Sequence, residues 1–249
     1  MNRIGSVPYL NSVPLTWGIE EETDFVVPSA LAEQLRTGRL DAALVSITEA
    51  LFYEGYDILD GVAVASHGHV KSVFLAHQQP LEEIEIIHCD TASLTSVNLL
   101  RVLLAERGLR PAFMPLPDYA QATALENVLL IGNPGIDFLH APHPHTIWDL
   151  GAAWQELTDL PFVYAAWTLR RGHHDAALRE YLRATKTSGL EQLSKIIATH
   201  PDYDTAFRQA YLGGHIQYNL GKTEKAGLAK FVELLKTHGD QDVYKPTFV

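Results

Sequence analysis

Apolar and polar positions along the chain fall into short buried-type runs alternating with amphipathic stretches, the pattern of a sheet with helices packed on its faces. The opening run Arg3-Ile4-Gly5-Ser6-Val7 reads as a strand that ends directly in the polar turn Pro8-Tyr9-Leu10-Asn11-Ser12-Val13-Pro14. Pro28-Ser29 then introduces a helix to Arg36, with Ser29 as expected N-cap, Leu31 and Leu35 on the buried face and Gly38 as the stop. Leu40 to Val45 is a buried strand and Ile47 to Tyr53 a short helix. Gly61 to Ala65 and Val70 to Leu75 are strands expected to be joined by a tight turn at Ser66-His67-Gly68-His69. A second unit is expected beyond Gln78-Gln79-Pro80, with a strand at Glu85 to Cys89, a helix from Thr95 to Leu104, and a strand at Val128 to Ile131 closed by the turn Gly132-Asn133-Pro134-Gly135. Pro161 to Leu169 carries the chain back, and helices at 190–200, 203–211 and 223–238 complete it. The expected class is α/β in two lobes, lobe I from 1–79 and 171–249 and lobe II from 80–170, with a ligand cleft between them.

Composition narrows the function classes. The chain has 249 residues with 30 Asp and Glu against 19 Lys and Arg, a net charge of −11 at pH 7. Nothing in that balance attracts nucleic acid or an anionic membrane surface, so neither is an expected partner. An anionic ligand must be held by local groups. The single cysteine, Cys89, excludes an internal disulfide and fits a reducing compartment. No apolar run reaches the roughly 18 to 20 residues that span a bilayer, and the opening lacks the features of a secretory signal. With Met1 as the start, the expected location is cytoplasmic.

In open α/β sheets ligands bind just beyond the carboxyl ends of strands, which makes Tyr9, Asn11 and Ser12 pocket candidates, although Asn between prolines equally suits a tight turn. Ser46 stands at the end of the strand from Leu40 in the same way. The loop from Asp90 to Ser96 leads from strand to helix and carries Ser93, Thr95 and Ser96. A helix N-terminus offers unpaired N–H donors and about half a positive charge, enough to hold a carboxylate without a basic side chain. Either hydroxyl can also simply cap the helix. Ser72, on its strand, is a second candidate beside Gly68, whose missing side chain permits close backbone approach; Lys71 and Ser72 can also be plain solvent-facing residues. The histidine groups His67 with His69, His140 with His143 and His145, and His173 with His174 match no metal spacing with a known mechanism. The chain has no G-x-G-x-x-G, P-loop or G-x-S-x-G. No metal and no cofactor are expected.

Several segments together resemble the chorismate dehydratase family of the futalosine route to menaquinone, enzymes related in fold to type II periplasmic binding proteins. They are Ile4-Gly5 with Tyr9-Leu10-Asn11 and Pro14-Leu15, then Pro28-Ser29 with Leu31-Ala32 and Leu40 to Val45, then Gly68-x-Val70-x-Ser72-Val73. Further on come Asp90, Ser93 and Thr95-Ser96-Val97, Asp149-Leu150-Gly151 with Trp154, Pro161 to Ala165 with Trp167, and the tail Tyr218-x-Leu220-Gly221 with Gly227-Leu228 and Phe231. The chain departs from the family at Gly132-Asn133-Pro134-Gly135, where an acidic residue usually follows the glycine, and at Asp159, commonly glycine. The resemblance implies a cofactor-free hydro-lyase that converts chorismate to 3-[(1-carboxyvinyl)oxy]benzoate. It implies that Asn11 and Ser72 are the catalytic pair, Asn11 orienting substrate and stabilising charge, Ser72 contacting a carboxylate or the departing hydroxyl. The proton would go to a substrate carboxylate or a bound water. Tyr9, Ser12, Ser46, Gly68, Ser93, Thr95, Ser96 and Asn133 are the expected substrate-binding set.

Two other readings fit the same architecture: a non-catalytic binding protein for a small carboxylate, and the sibling 1,4-dihydroxy-6-naphthoate synthase, whose opening differs in type from Tyr9-Leu10-Asn11. In each reading the lobes close on ligand, with hinges expected at His77 to Leu81 and Leu169 to Gly172. The pattern says nothing of oligomeric state.

Overall fold

The computed structural model describes residues 3–90, 92–239 and 241–249; Met1 and, within the loop from Asp90 to Ser96, Thr91 lie outside them. From the N-terminus the chain forms β1 (Ile4–Ser6), β2 (Thr23–Phe25), α1 (Pro28–Arg36), β3 (Ala42–Ser46), α2 (Ile47–Phe52) and β4 (Tyr56–Ser66). It then lays down β5 (Val73–His77), β6 (Ile86–Cys89), α3 (Leu94–Glu106), β7 (Ala112–Pro115), β8 (Asn127–Ile131), α4 (Gly132–His140), β9 (Thr146–Asp149) and α5 (Leu150–Thr158). β10 (Phe162–Arg170) follows, then α6 (Ala176–Glu191), α7 (Leu193–Thr199), α8 (Thr205–Ala210) and α9 (Lys222–His238). One sheet has the order β2-β1-β3-β10-β4 and the other β7-β6-β8-β5-β9.

In each sheet a parallel trio sets the direction in which ligand-facing ends point. β1 runs parallel to β2 and β3, and β6 parallel to β7 and β8, while β10 and β5 are antiparallel to their neighbours. The carboxyl ends of β1, β3, β6 and β8 therefore each lead into a helical turn: a 3-10 turn at Leu10–Leu15, then α2, α3 and α4.

Sheet membership moves the expected lobe boundaries. β5 pairs with β8 and β9, and β10 with β3 and β4, so lobe I holds 3–66 and 162–249 and lobe II holds 73–158. The crossings between the sheets are residues 67–72 and 159–161; His77 to Leu81 and Leu169 to Gly172, the expected hinges, begin at the ends of β5 and β10 and do not join the sheets. Gln78-Gln79-Pro80 merely ends a strand inside lobe II, whose Val73-Phe74-Leu75-Ala76 run is buried between two partners. The presumed hairpin turn at 66–69 is accordingly the first crossing. Two smaller differences have local causes. α1 is capped by Val27, because Pro28 takes the first helical position, where its missing N–H is not needed. Gly132 to Gly135 is the first turn of α4, and Gly132 enters it at φ +57, a conformation glycine adopts freely.

The buried carboxylate of Asp149 fastens the first crossing. It accepts from the amides of Val70 (3.1 Å) and Lys71 (2.8 Å), and from Gly151 and Ala152 at the start of α5 (3.0 Å each). Behind the sheets one apolar cluster runs through both lobes, with Trp154, Phe162 and Phe231 meeting edge to face. α9 packs on both β10 and α3, and α2 packs on α3. In lobe I, α6 lies against the 3-10 turn so closely that a methyl group on Gly189 would overlap the carbonyl of Pro14. Gly189→Ala is therefore expected to lose about 2 to 3 kcal/mol of stability, read as a lowered urea midpoint; an unchanged midpoint would show that this contact does not hold the turn.

Candidate functional site

The 3-10 turn after β1 owes its shape to Ser12, whose hydroxyl donates back to the carbonyls of Val7 and Tyr9 (2.7 Å each). That closes the turn, buries Ser12, and leaves Tyr9 and Asn11 directed into a cavity of about 60 Å³ between the lobes. Lobe I contributes Tyr9, Asn11, Ser46 and Tyr164, and the other side contributes Ser72, Ser93 and Ser96. Apolar walls come from Leu44, Val64, Val70, Val73 and Ile131, with Pro28 at the edge. Among the described residues no Lys, Arg, His, Asp or Glu lines it.

Ser93 caps α3, accepting from the amide of Ser96 (3.4 Å), so the first turn of α3 abuts the cavity with its remaining amides lacking acceptors inside the helix. Ser72 receives a hydrogen bond from the fully buried phenol of Tyr211 (2.7 Å). Tyr164 is paired with Ser66 (3.0 Å). The ring of Tyr9 lies over Gly132, where a methyl group would press on it.

Hydroxyl and amide groups also bind the two lobes to each other. The Leu10 amide donates to Asn133 Oδ1 (3.1 Å), Ser46 pairs with Ser93 (3.0 Å), and Thr95 Oγ1 accepts from the amide of Thr48 and pairs with its hydroxyl (3.1 Å each). Tyr203 donates to the carbonyl of Asn133 (3.2 Å) and to Asp137 (3.0 Å). The cleft is thus latched shut, and its volume accommodates only a few waters.

Burial keeps the phenols protonated. Desolvation, aided by the charge of Asp90, pushes Tyr9 up to about 12. Burial likewise raises Tyr164 and Tyr211 well above the ordinary phenol value. Asp90 itself is buried at the end of β6, which raises its carboxyl, while the Ala92 amide (2.9 Å) and the Tyr119 hydroxyl (2.8 Å) oppose the rise.

Of the residues expected from the sequence, Tyr9, Asn11, Ser46, Ser72, Ser93 and Ser96 share this cavity. Four do not line it. Ser12 holds the turn, and Thr95 and Asn133 are spent on bonds between lobes. Gly68 (φ +94) serves the first crossing, where its carbonyl accepts from Ser66. The sequence reading missed Tyr164 and Gly132 in the wall and Tyr211 behind it. Glycine between a buried strand and a helix was a usable signal for Gly132; Tyr211 had none, because only the fold carries it to Ser72. The histidine groups lie elsewhere: His143 and His145 pack on Phe138, and His174 pairs with Asp57 (2.9 Å). Among the described residues no group of His, Cys, Asp and Glu is placed to hold a metal, and no helix is long and apolar enough to cross a membrane.

Residues 2–237 match the family model described as menaquinone biosynthesis. The chorismate dehydratase of Thermus thermophilus is 30% identical, the match covering 93% of this chain and 94% of that protein. That of Campylobacter jejuni is 25% identical, covering 92% and 91%. Among solved structures, a protein from Archaeoglobus fulgidus superposes with a TM-score of 0.74 at 16% identity, covering 95% of this chain and 97% of its own. The alkanesulfonate-binding protein of Xanthomonas axonopodis pv. citri, bound to MOPS, gives 0.67 at 16%, covering 95% and 92%. The fold is that of the periplasmic binding proteins.

The latch generates a prediction. Asn133→Ala removes one bond between the lobes, worth about 1 kcal/mol, and should favour the open form about fivefold. Small-angle scattering should then show a larger radius of gyration than the parent's, and equal radii would mean that this bond does not hold the cleft shut.

Proposed function

The chain belongs to the menaquinone biosynthesis family, and from that membership and the cleft we propose that it is a chorismate dehydratase, a lyase that needs no cofactor. Its ligand is then a small dicarboxylate, and the reading carries with it a cytoplasmic setting in which buried Cys89, its thiol pushed up to about 12 by desolvation, stays reduced and inert. The observation that carries the reading is the meeting of a chain-long match to chorismate dehydratases with a cavity of neutral donors beside a helix N-terminus.

The reaction removes the hydrogen from the ring carbon that bears the enolpyruvyl ether and the hydroxyl from its neighbour. The C–H electron pair becomes a ring double bond, the C–O bond breaks, and hydroxide combines with the released proton as water. Aromatisation supplies much of the driving force. The site must therefore hold two carboxylates, orient the ring and assist the departing oxygen.

The amides of α3, with Ser93 and Ser96, are suited to one carboxylate. Asn11 stands on the opposite wall and stabilises developing charge through hydrogen bonds, with Ser72 directed at the leaving oxygen. Neither an amide nor a neutral serine is a base strong enough to take the ring proton. No lining carboxylate or imidazole is available among the described residues, so the proton goes to the substrate's own enolpyruvyl carboxylate, which hangs from the carbon being deprotonated, or to a bound water. A closed cavity that fits only a few waters cannot admit this substrate, so the lobes part for entry and close again. Closure then excludes bulk water and strengthens the remaining polar contacts.

Incubation with chorismate and a metal chelator should yield a product lighter by one water in the mass spectrum. Saturable binding with the substrate returned intact would instead make this a binding protein, and absence of binding would favour an enzyme for a later aromatic intermediate. Asn11→Ala should lower turnover more than about tenfold with an unchanged circular dichroism spectrum, and normal turnover in that variant would remove Asn11 from the mechanism. Because the ionisable wall residues are tyrosines whose phenols ionise far above neutrality, kcat should be flat from about pH 6 to about pH 9. An acidic limb in that window would point to Asp90, whose buried carboxyl is raised, as a base.

A further inference from the structure

Tyr211 takes no part in the cavity wall, yet its phenol is bonded to one proposed catalytic residue, Ser72. It is 1% exposed, and its phenol reaches Ser72 Oγ at 2.7 Å from a segment far along the chain. A phenol has one hydrogen to give. Given to Ser72, it occupies an acceptor position on Oγ and leaves the serine's own hydrogen free for a partner in the cavity. We infer that Tyr211 is a positioning residue for the dehydration: it fixes Ser72 as a hydrogen-bond donor to the departing hydroxyl, and it acts only through Ser72. The inference rests on the dehydratase reading.

Three further observations support it. The first is that the side-chain amide of Asn11 lies close enough to the same phenol to bear on its ionisation. The relay runs in one direction, from the Tyr211 O–H to Ser72 and from the Ser72 O–H to substrate. Every member is neutral, and burial keeps the phenol protonated throughout.

The second observation is how firmly the ring is held. Phe207 stacks on it with ring centres 5.4 Å apart and planes 19° from parallel. The buried Arg208 anchors α8 by donating to the carbonyls of Ile197 (2.6 Å) and Asp202 (3.0 Å) and to Thr205 (3.0 Å). The third is local geometry. Tyr211 opens a single π-helical turn, Tyr211–His215, directly after α8, a form that recurs at functional sites because it re-aims one side chain. No net proton passes through the relay. The ring C–H proton goes to the substrate carboxylate or to water, and the phenol keeps its own.

A double-mutant cycle on chorismate turnover tests this. Tyr211→Phe keeps the stacked ring and should lower kcat about tenfold, with KM within about twofold of the parent. Placed on Ser72→Ala, it should lower kcat by less than about twofold further, because the hydroxyl it orients is already gone. Equal fractional losses on both backgrounds, or unchanged kcat in Tyr211→Phe, overturn the inference while leaving the dehydratase reading intact. A parent protein that binds chorismate and does not dehydrate it overturns the reading and the inference with it. Should Tyr211→Phe not fold, a ring-fluorinated tyrosine at position 211 preserves the shape and brings phenol ionisation down into the measurable alkaline range. It should add an alkaline limb to kcat that vanishes on the Ser72→Ala background, and a profile without that limb overturns the inference.

Discussion

If the chain acts as proposed, holding a dianion without a cation is the constraint on which the rest of this structure depends. A strongly acidic chain that placed a lysine or arginine in the cleft would pair it with the substrate, but would also stabilise ground state and transition state alike. In the proposed mechanism the field comes instead from backbone amides at the start of α3 and from hydroxyl and amide side chains. Such dipoles are weak in water and effective only where water is excluded and their orientation is already set. The closed cleft, with its apolar walls and few water positions, is the medium in which neutral donors suffice.

That requirement explains why so much of the polar chemistry is devoted to geometry. Thr48 with Thr95, Ser46 with Ser93, and Leu10 with Asn133 fix one lobe against the other through neutral bonds. The apolar cluster behind the sheets continues through both lobes. Asp149, engaged by four backbone amides, holds the first crossing, in which Ser72 stands just before β5. Tyr211 approaches the same hydroxyl from a third layer. In the proposed reaction few of these groups meet substrate; they frame the cavity in which Asn11 and Ser72 stand.

How much of this was legible in the sequence depended on whether the signal was local. Strand ends followed by polar turns, as at Tyr9 to Asn11 and at Ser46, and hydroxyls opening a helix, as at Ser93 and Ser96, follow from chain chemistry alone, and these residues do share one cavity. The lobe boundaries were not legible, because Gln78-Gln79-Pro80 looks like a linker and the pairing of β5 with β8 and β9 is a long-range fact. Ser12, Thr95 and Asn133 have the residue types of a binding site, yet their side chains are spent on a turn and on the bonds between lobes. Whether a hydroxyl faces ligand or framework is settled by its partner across space, and nothing beside Tyr211 in the chain announces that its partner is Ser72.

The most direct measurement is a crystal structure with the product, 3-[(1-carboxyvinyl)oxy]benzoate, bound. One carboxylate should lie within hydrogen-bond reach of the α3 amides and of Ser93 or Ser96, with Asn11 and Ser72 against the ring and no basic side chain nearby. A product carboxylate paired with an arginine or lysine drawn into the cleft, or a product seated elsewhere on the molecule, would contradict the account.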